Sequence, residues 1–509
     1  MGANRQMARN AIFNVLQFAI NFGISFFFTP YLIRTVGKEA YSFFPLVNNM
    51  IGYTSIITTA VGGMAGRFIT MRIYQNDKEG ASYYFNSVLV ANWILSIFFT
   101  VLSVVCVVYL QYILTIPENL LWEVKMLFIF ACATMIIGLA TSILSTGTFV
   151  KNRIDAQASR SVVTKLVRVG LILLLFYLFK PSIVYMSASA LGAGLLGVYY
   201  NIKFKKRFLP EIPINPRKYF KKTYLSELIS SSIWNSVNQL SFLLLAQLDL
   251  LITNIFIGVA ETGDYSIAKM MPNIIQSFMV VLVSVFVPHF TILYAKGEMS
   301  SLINEIKKSV KVMGIASTLP IGFLMIYGPD FFNLWVHGQT SDLLNVLSVL
   351  TLVPLAVSSC INTLFHVYTV TNKLKVPSLV LLLNGIINVS LILFLVNYTN
   401  LGVIAIPIVS MTTLILKNVT FTPMYAAYCL KQKLFVFHKD IVMGCSSCVV
   451  VVLICLLVKR IIIPDTWFAF ILSAIIVWVL SLLVSSKLFL SHNERMSVVN
   501  MVKSKFRHK

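Results

Sequence analysis

Long apolar segments recur along almost the whole chain, and short polar stretches separate them. The unbroken runs, such as 166–179 and 379–396, approach the roughly 20 residues that a helix needs to cross about 30 Å of hydrocarbon. They do not alternate apolar and polar positions, as the strands of a membrane β-barrel would. The pattern therefore predicts an all-α, polytopic membrane protein.

We place about fourteen transmembrane spans, several of them joined by very tight turns. They cover residues 10–33, 42–65, 85–110, 126–148, 161–180, 182–201, 228–256, 265–290, 311–328, 343–368, 376–396, 402–428, 441–463 and 466–488. An even number of spans puts both termini on the same side of the membrane. With 58% hydrophobic and 12% charged residues, the composition excludes a soluble enzyme with a single anchor.

Basic residues are distributed unevenly between the loops of the two sides. The chain carries 41 Lys and Arg and a net charge of +23, and 34 of the 41 fall on the side that holds both termini. Lys and Arg concentrate in cytoplasmic loops, so both termini are predicted to be cytoplasmic in a multi-pass protein of the cell membrane. The membrane topology thus explains the high net positive charge of the chain. We therefore expect no nucleic-acid partner.

A weak internal repeat divides the chain. Residues 14–61 match the segment 224 positions later at ten positions, which include the pairs Asn14 with Asn238 and Asn49 with Asn273. We therefore expect two parallel six-helix lobes around a central cavity, an arrangement that some transporters use, followed by two C-terminal helices. The predicted domains are an N-lobe, a basic cytoplasmic linker, a C-lobe, the last two spans and a basic tail: 1–202, 203–227, 228–430, 431–490 and 491–509.

Polar side chains form a stripe along one face of spans 1 and 7. In span 1 the stripe includes Asn14, Gln17 and Asn21, which are three to four residues apart. In span 7 it includes Asn238 and Asp249. Polar groups at bilayer depth face a bundle interior or a watery cavity, so these residues are candidate cavity linings. Hydrogen bonding between helices is the alternative interpretation.

Two charged residues lie deep within the predicted spans. Asp249 is in span 7 and Lys417 is in span 12. A charge at such depth costs at least about 2.5–3.5 kcal/mol, so it usually has a partner or a function. Both residues are therefore candidates for the substrate site, with a satisfied structural acid as the alternative for Asp249.

Two further cations lie nearer the ends of their spans. Arg67 is five helical turns from Asn49 in span 2, and Lys269 is close to Asn273 in span 8. Each cation thus shares a helix face with a polar residue, which makes all four candidate cavity residues. Snorkelling of Arg67 and Lys269 to lipid head groups is the competing interpretation.

The sequence lacks the features of an enzyme. The six histidines show no metal-ligand spacing, no glycine-rich phosphate loop follows a strand, and the predicted outer loops are short. The seven cysteines lie in or beside apolar runs, so even Cys445 and Cys448 are interpreted as structural. We predict a non-enzymatic protein without cofactor or metal; whether H+ or Na+ drives it stays open.

Several segments resemble one family of transporters. The stretch LDLLITNIFIG at 248–258, followed by GDYSIA at 263–268, is similar to the seventh and eighth helices of polysaccharide-repeat flippases. These are the Wzx-type members of the multidrug/oligosaccharidyl-lipid/polysaccharide exporter superfamily. TPYLIRTVGKEAY at 29–41 resembles the first hairpin of that family, and TNKLKVP at 371–377, Asn388 and LGVIA at 401–405 resemble its helices 10 to 12.

The resemblance implies transport of a polyprenyl-diphosphate-linked oligosaccharide to the outer leaflet by alternating access, for cell-surface polysaccharide biosynthesis. The implied partners are this lipid-linked oligosaccharide and membrane lipids, with a polysaccharide polymerase or glycosyltransferases as further candidates. Arg67, Lys269 and Lys417 would supply cations for the diphosphate. The alternative is a cation-coupled small-molecule exporter of the same fold, with Asp249 as its coupling acid.

The first prediction concerns topology. In intact cells, a membrane-impermeant thiol reagent should label a cysteine introduced at position 337 and spare one introduced at position 215, because the positive-inside rule puts the basic linker in the cytoplasm. Permeabilised cells provide the control, since position 215 should then react. Labelling of 215 but not 337 in intact cells would reverse the orientation.

Overall fold

The computed structural model describes residues 3–62, 64–283, 286–336, 342–371 and 373–496. No β-strand occurs among these residues, which are overwhelmingly helical. Internal contacts divide the chain into two compact units, Met1–Gly263 and Asp264–Lys509. The predicted class, an all-α polytopic membrane protein, is confirmed.

The first unit contains long helices interrupted by short ones. They are α1 (Ala3–Val36), α2 (Lys38–Gly52), α3 (Ser55–Gly62), α4 (Ala65–Tyr74), α5 (Lys78–Val108), α6 (Leu110–Ile113), α7 (Leu121–Thr141), α8 (Thr146–Val150), α9 (Ile154–Leu178), α10 (Val184–Phe208), α11 (Pro216–Tyr219), α12 (Lys222–Ala246) and α13 (Leu248–Phe256). Short 3-10 helices cover Glu118–Leu120 and Ser142–Ser145.

Helix α14 (Val259–Ala268) contains the division between the units, and the second unit continues from it. Its further helices are α15 (Met270–Val283), α16 (Val287–Ala295), α17 (Met299–Trp335), α18 (Asp342–Ile361), α19 (Leu364–Val370), α20 (Lys375–Tyr398), α21 (Ala405–Val419), α22 (Phe421–Cys429), α23 (His438–Lys459) and α24 (Trp467–Phe489). A 3-10 helix covers Gly402–Ile404. The predicted boundaries of lobes, linker and tail remain predictions, because units defined by contact density need not coincide with sequence repeats.

Within the described residues, twelve helical segments are long and apolar enough to cross a membrane. The two other predicted spans are also helical. Span 42–65 is not one helix, since α2 ends at Gly52 and α3 begins at Ser55. Span 182–201 corresponds to the first part of α10, which begins at Val184 and in which many small residues reduce the hydropathy. Such small residues let α10 pack closely against α7 and α9.

The basic linker predicted at 203–227 packs against α5. Asn86 of α5 is fully buried; its side chain donates to the carbonyl of Pro213 (3.0 Å) and accepts from the backbone N–H of Asn215 (2.9 Å). Burial acts to raise the pKa of Glu211, but a backbone hydrogen bond and the Lys151 ammonium outweigh it, so that pKa lies below its usual value. This part of the linker is therefore held to the helices by specific bonds.

A buried carboxylate ties the start of α1 to the start of α9. Asp155, 1% exposed, accepts from Arg9 Nε (2.9 Å), Arg153 Nε (3.0 Å) and Gln6 Nε2 (2.9 Å). Its backbone N–H donates to the side-chain oxygen of Asn10 (3.0 Å). A buried charge is tolerated when it is paired in this way, so we interpret Asp155 as structural.

In the second unit, α17 and α23 approach each other at two glycines. A Cβ added to Gly314 of α17 would lie 2.5 Å from the Cα of Gly444 in α23 and 2.9 Å from the Cys360 sulfur. Along the same contact, the hydroxyls of Thr318 and Ser447 share a 2.7 Å hydrogen bond. The two backbones can come this close only because neither glycine has a side chain.

The second prediction tests this contact. Gly314→Ala should destabilise the protein by about 1–3 kcal/mol, because the added methyl group forces the two backbones apart. Gly328→Ala is the matched control, since Gly328 lies on the same helix and a Cβ there meets no atom within 4 Å. Thermal unfolding of the purified chain in detergent measures both. Equal midpoints for the two variants would contradict the close approach.

Candidate functional site

The polar stripe predicted on span 1 faces α9 at the positions where its contacts are described. Gln17 Nε2 donates to the Ser161 hydroxyl (3.0 Å), and Asn10 donates to the turn before α9. Asn21 is half-buried, and its side-chain oxygen is buried without a hydrogen-bond partner among the described residues. The side chain of Asn14 lies outside what the structure describes. At Gln17 this placement favours interhelical hydrogen bonding, and a cavity along the stripe remains a prediction.

Two interrupted helices of the first unit meet at Gln247, the residue between α12 and α13. The carbonyl of Gln247 accepts hydrogen bonds from the Asn49 side chain (3.4 Å) and from the Tyr53 hydroxyl (3.3 Å). Tyr53 itself marks the interruption between α2 and α3. Irregular backbone at membrane depth is tolerated where protein buries it or where it lines a watery cavity.

Asp249 lies directly beyond this junction and is 7% exposed. Its carboxylate accepts from the backbone N–H of Leu250 (2.8 Å), and the charge is close enough to the Tyr53 phenol to interact with it electrostatically. The structure thus brings together Asn49 and Asp249, which were predicted from separate spans. Asn238 is half-buried on α12, two and a half turns before the junction. Neither Tyr53 nor Gln247 was predicted as a site residue. Each is a polar residue within an apolar run, Tyr53 close to Asn49 and Gln247 close to Asp249, and this proximity is the sequence signal that could have identified them.

Lys417 lies near the end of α21 in the second unit and is half-buried. Its ammonium stands 5.2 Å from the centre of the Phe365 ring, a cation–π contact. Among the described residues, no carboxylate pairs with it. One turn earlier, the Thr413 hydroxyl donates to the Asn388 side chain (3.0 Å), so the stripe around Lys417 is polar and faces α20. A role for Lys417 in a substrate site remains a prediction.

The remaining predicted cations lie at more open positions. Arg67, on α4, has an exposed side chain. In the second unit, the Lys269 ammonium lies 5.5 Å from the centre of the Tyr265 ring. The backbone N–H of Asn273 donates to the Lys269 carbonyl (3.1 Å), so the two residues are one helical turn apart, and the Asn273 side chain is exposed. The assignment of Arg67, Lys269 and Asn273 to a substrate site therefore remains a prediction.

The sequence analysis missed a cavity of about 470 Å³ within the first unit. Hydroxyl and amide side chains form much of its wall: Thr54, Ser55, Thr58, Thr59, Asn92, Ser142 and Thr146. A sequence signal existed, since Thr54, Ser55, Thr58 and Thr59 recur at the four-residue spacing of one helix face. Because hydroxyls are common within transmembrane helices, that spacing alone was not informative.

A family model described as a polysaccharide biosynthesis protein matches residues 7–293, more than half of the chain. The chain belongs to this family. Among curated proteins, it is 29% identical over 454 residues to "Uncharacterized membrane protein EpsK" of Bacillus subtilis (strain 168), which covers 89% of this chain and 90% of that protein. The resemblance to polysaccharide exporters drawn from the helix signatures is confirmed.

Solved structures show which fold this polysaccharide biosynthesis protein adopts. It is similar to the lipid II flippase MurJ in an inward closed conformation, with a TM-score of 0.67, 13% identity and coverage of 96% of this chain and 98% of that one. An inward-facing MATE family transporter of the MOP superfamily gives a TM-score of 0.61 at 16% identity, over 82% and 95% of the two chains. At these identities the likeness shows the fold alone.

The third prediction concerns the Gln247 junction. Replacing both donors, Asn49→Leu with Tyr53→Phe, should lower the unfolding free energy by roughly 1–2 kcal/mol, because each neutral hydrogen bond contributes about 0.5–1.5 kcal/mol. Asn48→Leu is the control: Asn48 is exposed on the same helix and donates to its own backbone at Phe44. Thermal unfolding of the purified chain measures the difference. A double variant as stable as the control would mean that these two bonds do not hold the junction.

Proposed function

We propose that this chain transports a polyprenyl-diphosphate-linked oligosaccharide from the inner to the outer leaflet of the cell membrane. Membership of the polysaccharide biosynthesis family and a fold shared with MOP transporters support transport in the service of polysaccharide synthesis. The direction of transport and the cytoplasmic position of both termini are parts of the same proposal.

The observation that carries the proposal is Lys417. It is a cation within an apolar helical segment, it contacts an aromatic ring, and no carboxylate among the described residues neutralises it. A charge in that setting is costly unless something compensates it. A diphosphate would do so, and it is the part of the substrate that stays the same whatever the glycan.

The glycan of the substrate requires binding partners that differ from those of the diphosphate. Sugar hydroxyls require polar partners, which the junction of Asn49, Tyr53 and Gln247 and the stripe of Asn238 would offer. Arg67, exposed at the end of the predicted second span, would supply a further cation for the diphosphate.

A second candidate function is the export of small cationic molecules, and Asp249 is the observation that favours it. The residue is buried beside an interrupted helix, a position at which transporters bind substrates and coupling ions. Under this alternative, Asp249→Asn should abolish efflux of a cationic dye driven by H+ or Na+. Under the flippase proposal, dye efflux should be absent from the wild-type chain as well.

The fourth prediction tests the flippase proposal in a strain whose own copy of this chain is deleted. Lys417→Ala should insert into the membrane normally and lower surface glycan per inserted molecule at least about tenfold, because a hydrogen bond to a charged group contributes roughly 1.5–3 kcal/mol. Lys417→Arg should keep part of the activity, and Arg67→Ala should lose less than Lys417→Ala.

The control for that experiment is Lys433→Ala, an exposed lysine in the turn that follows α22. It removes the same charge without approaching the proposed site, so surface glycan should remain at the wild-type level. If Lys417→Ala matched Lys433→Ala at equal membrane expression, Lys417 would have no part in transport, and the exporter alternative would gain support.

A further inference from the structure

The cavity in the first unit has an uncharged lining among the described residues, in which hydroxyl and amide side chains stand beside apolar ones. Its volume, about 470 Å³, falls within the range of about 300–1,000 Å³ that is usual for small-molecule sites. Hydroxyl and amide groups alternate with Val88, Met135, Leu139 and Ile143, and among the described residues no Asp, Glu, Lys, Arg or His lines it. The combination is polar enough for hydrogen bonding and apolar enough to contact the face of a ring.

Interrupted helices form two of its walls. The wall from Thr54 to Gly62 begins where the interruption at Tyr53 separates α2 from α3. On the wall formed by α7, the helix tightens into the 3-10 segment Ser142–Ser145 before α8 begins. In a soluble protein such changes are common, but at membrane depth they cost hydrogen bonds, and transporters place them at binding sites. The cavity lies against both.

Three hydroxyls that line the cavity have unused hydrogen-bonding capacity. Thr54 and Thr58 donate to carbonyls of their own chain segment, at Ile51 and Ser55. By contrast, the side chains of Ser55, Thr59 and Thr146 have no hydrogen-bond partner within the described part of the chain.

Asn92 and Ser142, which also line the cavity, are already ordered. Asn92 donates to the Ser142 hydroxyl (3.0 Å), which in turn donates to the Leu139 carbonyl (3.0 Å). Each of these bonds fixes a polar group at the cavity wall without a ligand. A bound molecule would therefore meet ordered polar groups at Asn92 and Ser142 and unbonded hydroxyls at Ser55, Thr59 and Thr146.

The glycines at the cavity leave room as well. A Cβ built on Gly62 or on Gly138 would meet no atom within 4 Å, although both residues line the cavity. The space is therefore open in front of these backbones. This observation also supplies a substitution that should fill the cavity without a clash.

From these features we infer that the cavity binds a neutral, hydroxyl-rich ring, namely one sugar residue of the transported glycan. Hydroxyls that both donate and accept suit a sugar, and apolar side chains among them suit the face of its ring. A diphosphate would find no cation here, so its burial would be uncompensated. The link to a transported glycan rests on the proposed function, whereas binding of a sugar does not.

The binding test uses the purified full-length chain in lipid nanodiscs and saturation-transfer difference NMR, with glucose and N-acetylglucosamine as probes. The wild-type chain should transfer saturation to both sugars. The double variant Ser55→Ala with Thr59→Val should reduce the transfer by about tenfold, as expected for the loss of two neutral hydrogen bonds. Gly138→Leu should reduce it as well, because its side chain would occupy the space that the sugar needs. Glucuronate, which carries a charge, should bind several-fold more weakly than glucose.

Two matched controls separate loss of the site from loss of the fold. Thr134→Val removes a hydroxyl from the same helix as Gly138, but Thr134 bonds to its own backbone at Phe130 and does not line the cavity. Gly170→Leu adds a side chain to α9, where a Cβ also meets nothing within 4 Å. Both controls should bind the sugars as the wild type does. No transfer from wild type at tens of millimolar sugar, or equal transfer from all variants, would overturn the site.

The second measurement, after sugar binding, is the amount of surface glycan in the deletion strain. If the proposed function is wrong, the wild-type chain will not restore glycan, yet the NMR signal and its loss in the cavity variants will still report a sugar site. A second outcome is that the wild-type chain restores glycan and that the cavity variants restore it equally well although they no longer bind sugar. The cavity would then not serve the transported glycan, and the inference would be overturned. Parallel loss of sugar binding and of surface glycan is the expected result.

Discussion

In hydrocarbon every backbone N–H and C=O must find its partner within the protein, and this constraint shapes the whole chain. It explains why the apolar runs form helices, and it makes each interruption informative. The helices break at Tyr53 and at Gln247, and the backbone tightens at Ser142–Ser145. At each place polar side chains stand beside the irregular backbone, including the Asn49 amide and the hydroxyl of Tyr53 that bond to Gln247. Irregularity and polarity therefore coincide, as expected where a membrane protein handles a polar ligand.

The sequence predicted the fold class because span length follows directly from bilayer thickness, and it pointed to Asn49 and Asp249 because polar groups at depth are costly. It did not predict the break at Tyr53, since helix propensity varies little among such residues and tertiary packing decides where a helix ends. Periodicity defines a helix face but not the neighbour of that face. Gln17 therefore lay on a predicted polar face whose neighbour, Ser161 of α9, only the structure could supply.

The same energetic cost leads to different conclusions for two buried charges. Asp155 is surrounded by donors, including Arg9 and Arg153, so its charge is compensated within the protein and needs no ligand. Lys417 has the face of Phe365, which stabilises a cation by only about 0.5–2 kcal/mol and leaves its charge in place. The two charges therefore differ in their sets of partners. The sequence alone did not reveal these partners: it placed Asp155 in the loop before span 5 and Lys417 within span 12.

A transported lipid-linked oligosaccharide would combine an invariant diphosphate with a variable glycan, and the two call for different chemistry. A cation such as Lys417 suits the diphosphate, because charge is shared by every substrate of the class. Hydroxyls such as those of Ser55 and Thr59 rotate freely and both donate and accept, so they tolerate different sugars. Each neutral bond contributes only about 0.5–1.5 kcal/mol, which lets the glycan leave again. A transporter has to release what it binds, and weak, adaptable contacts to the larger part of the substrate meet that requirement better than further charges would.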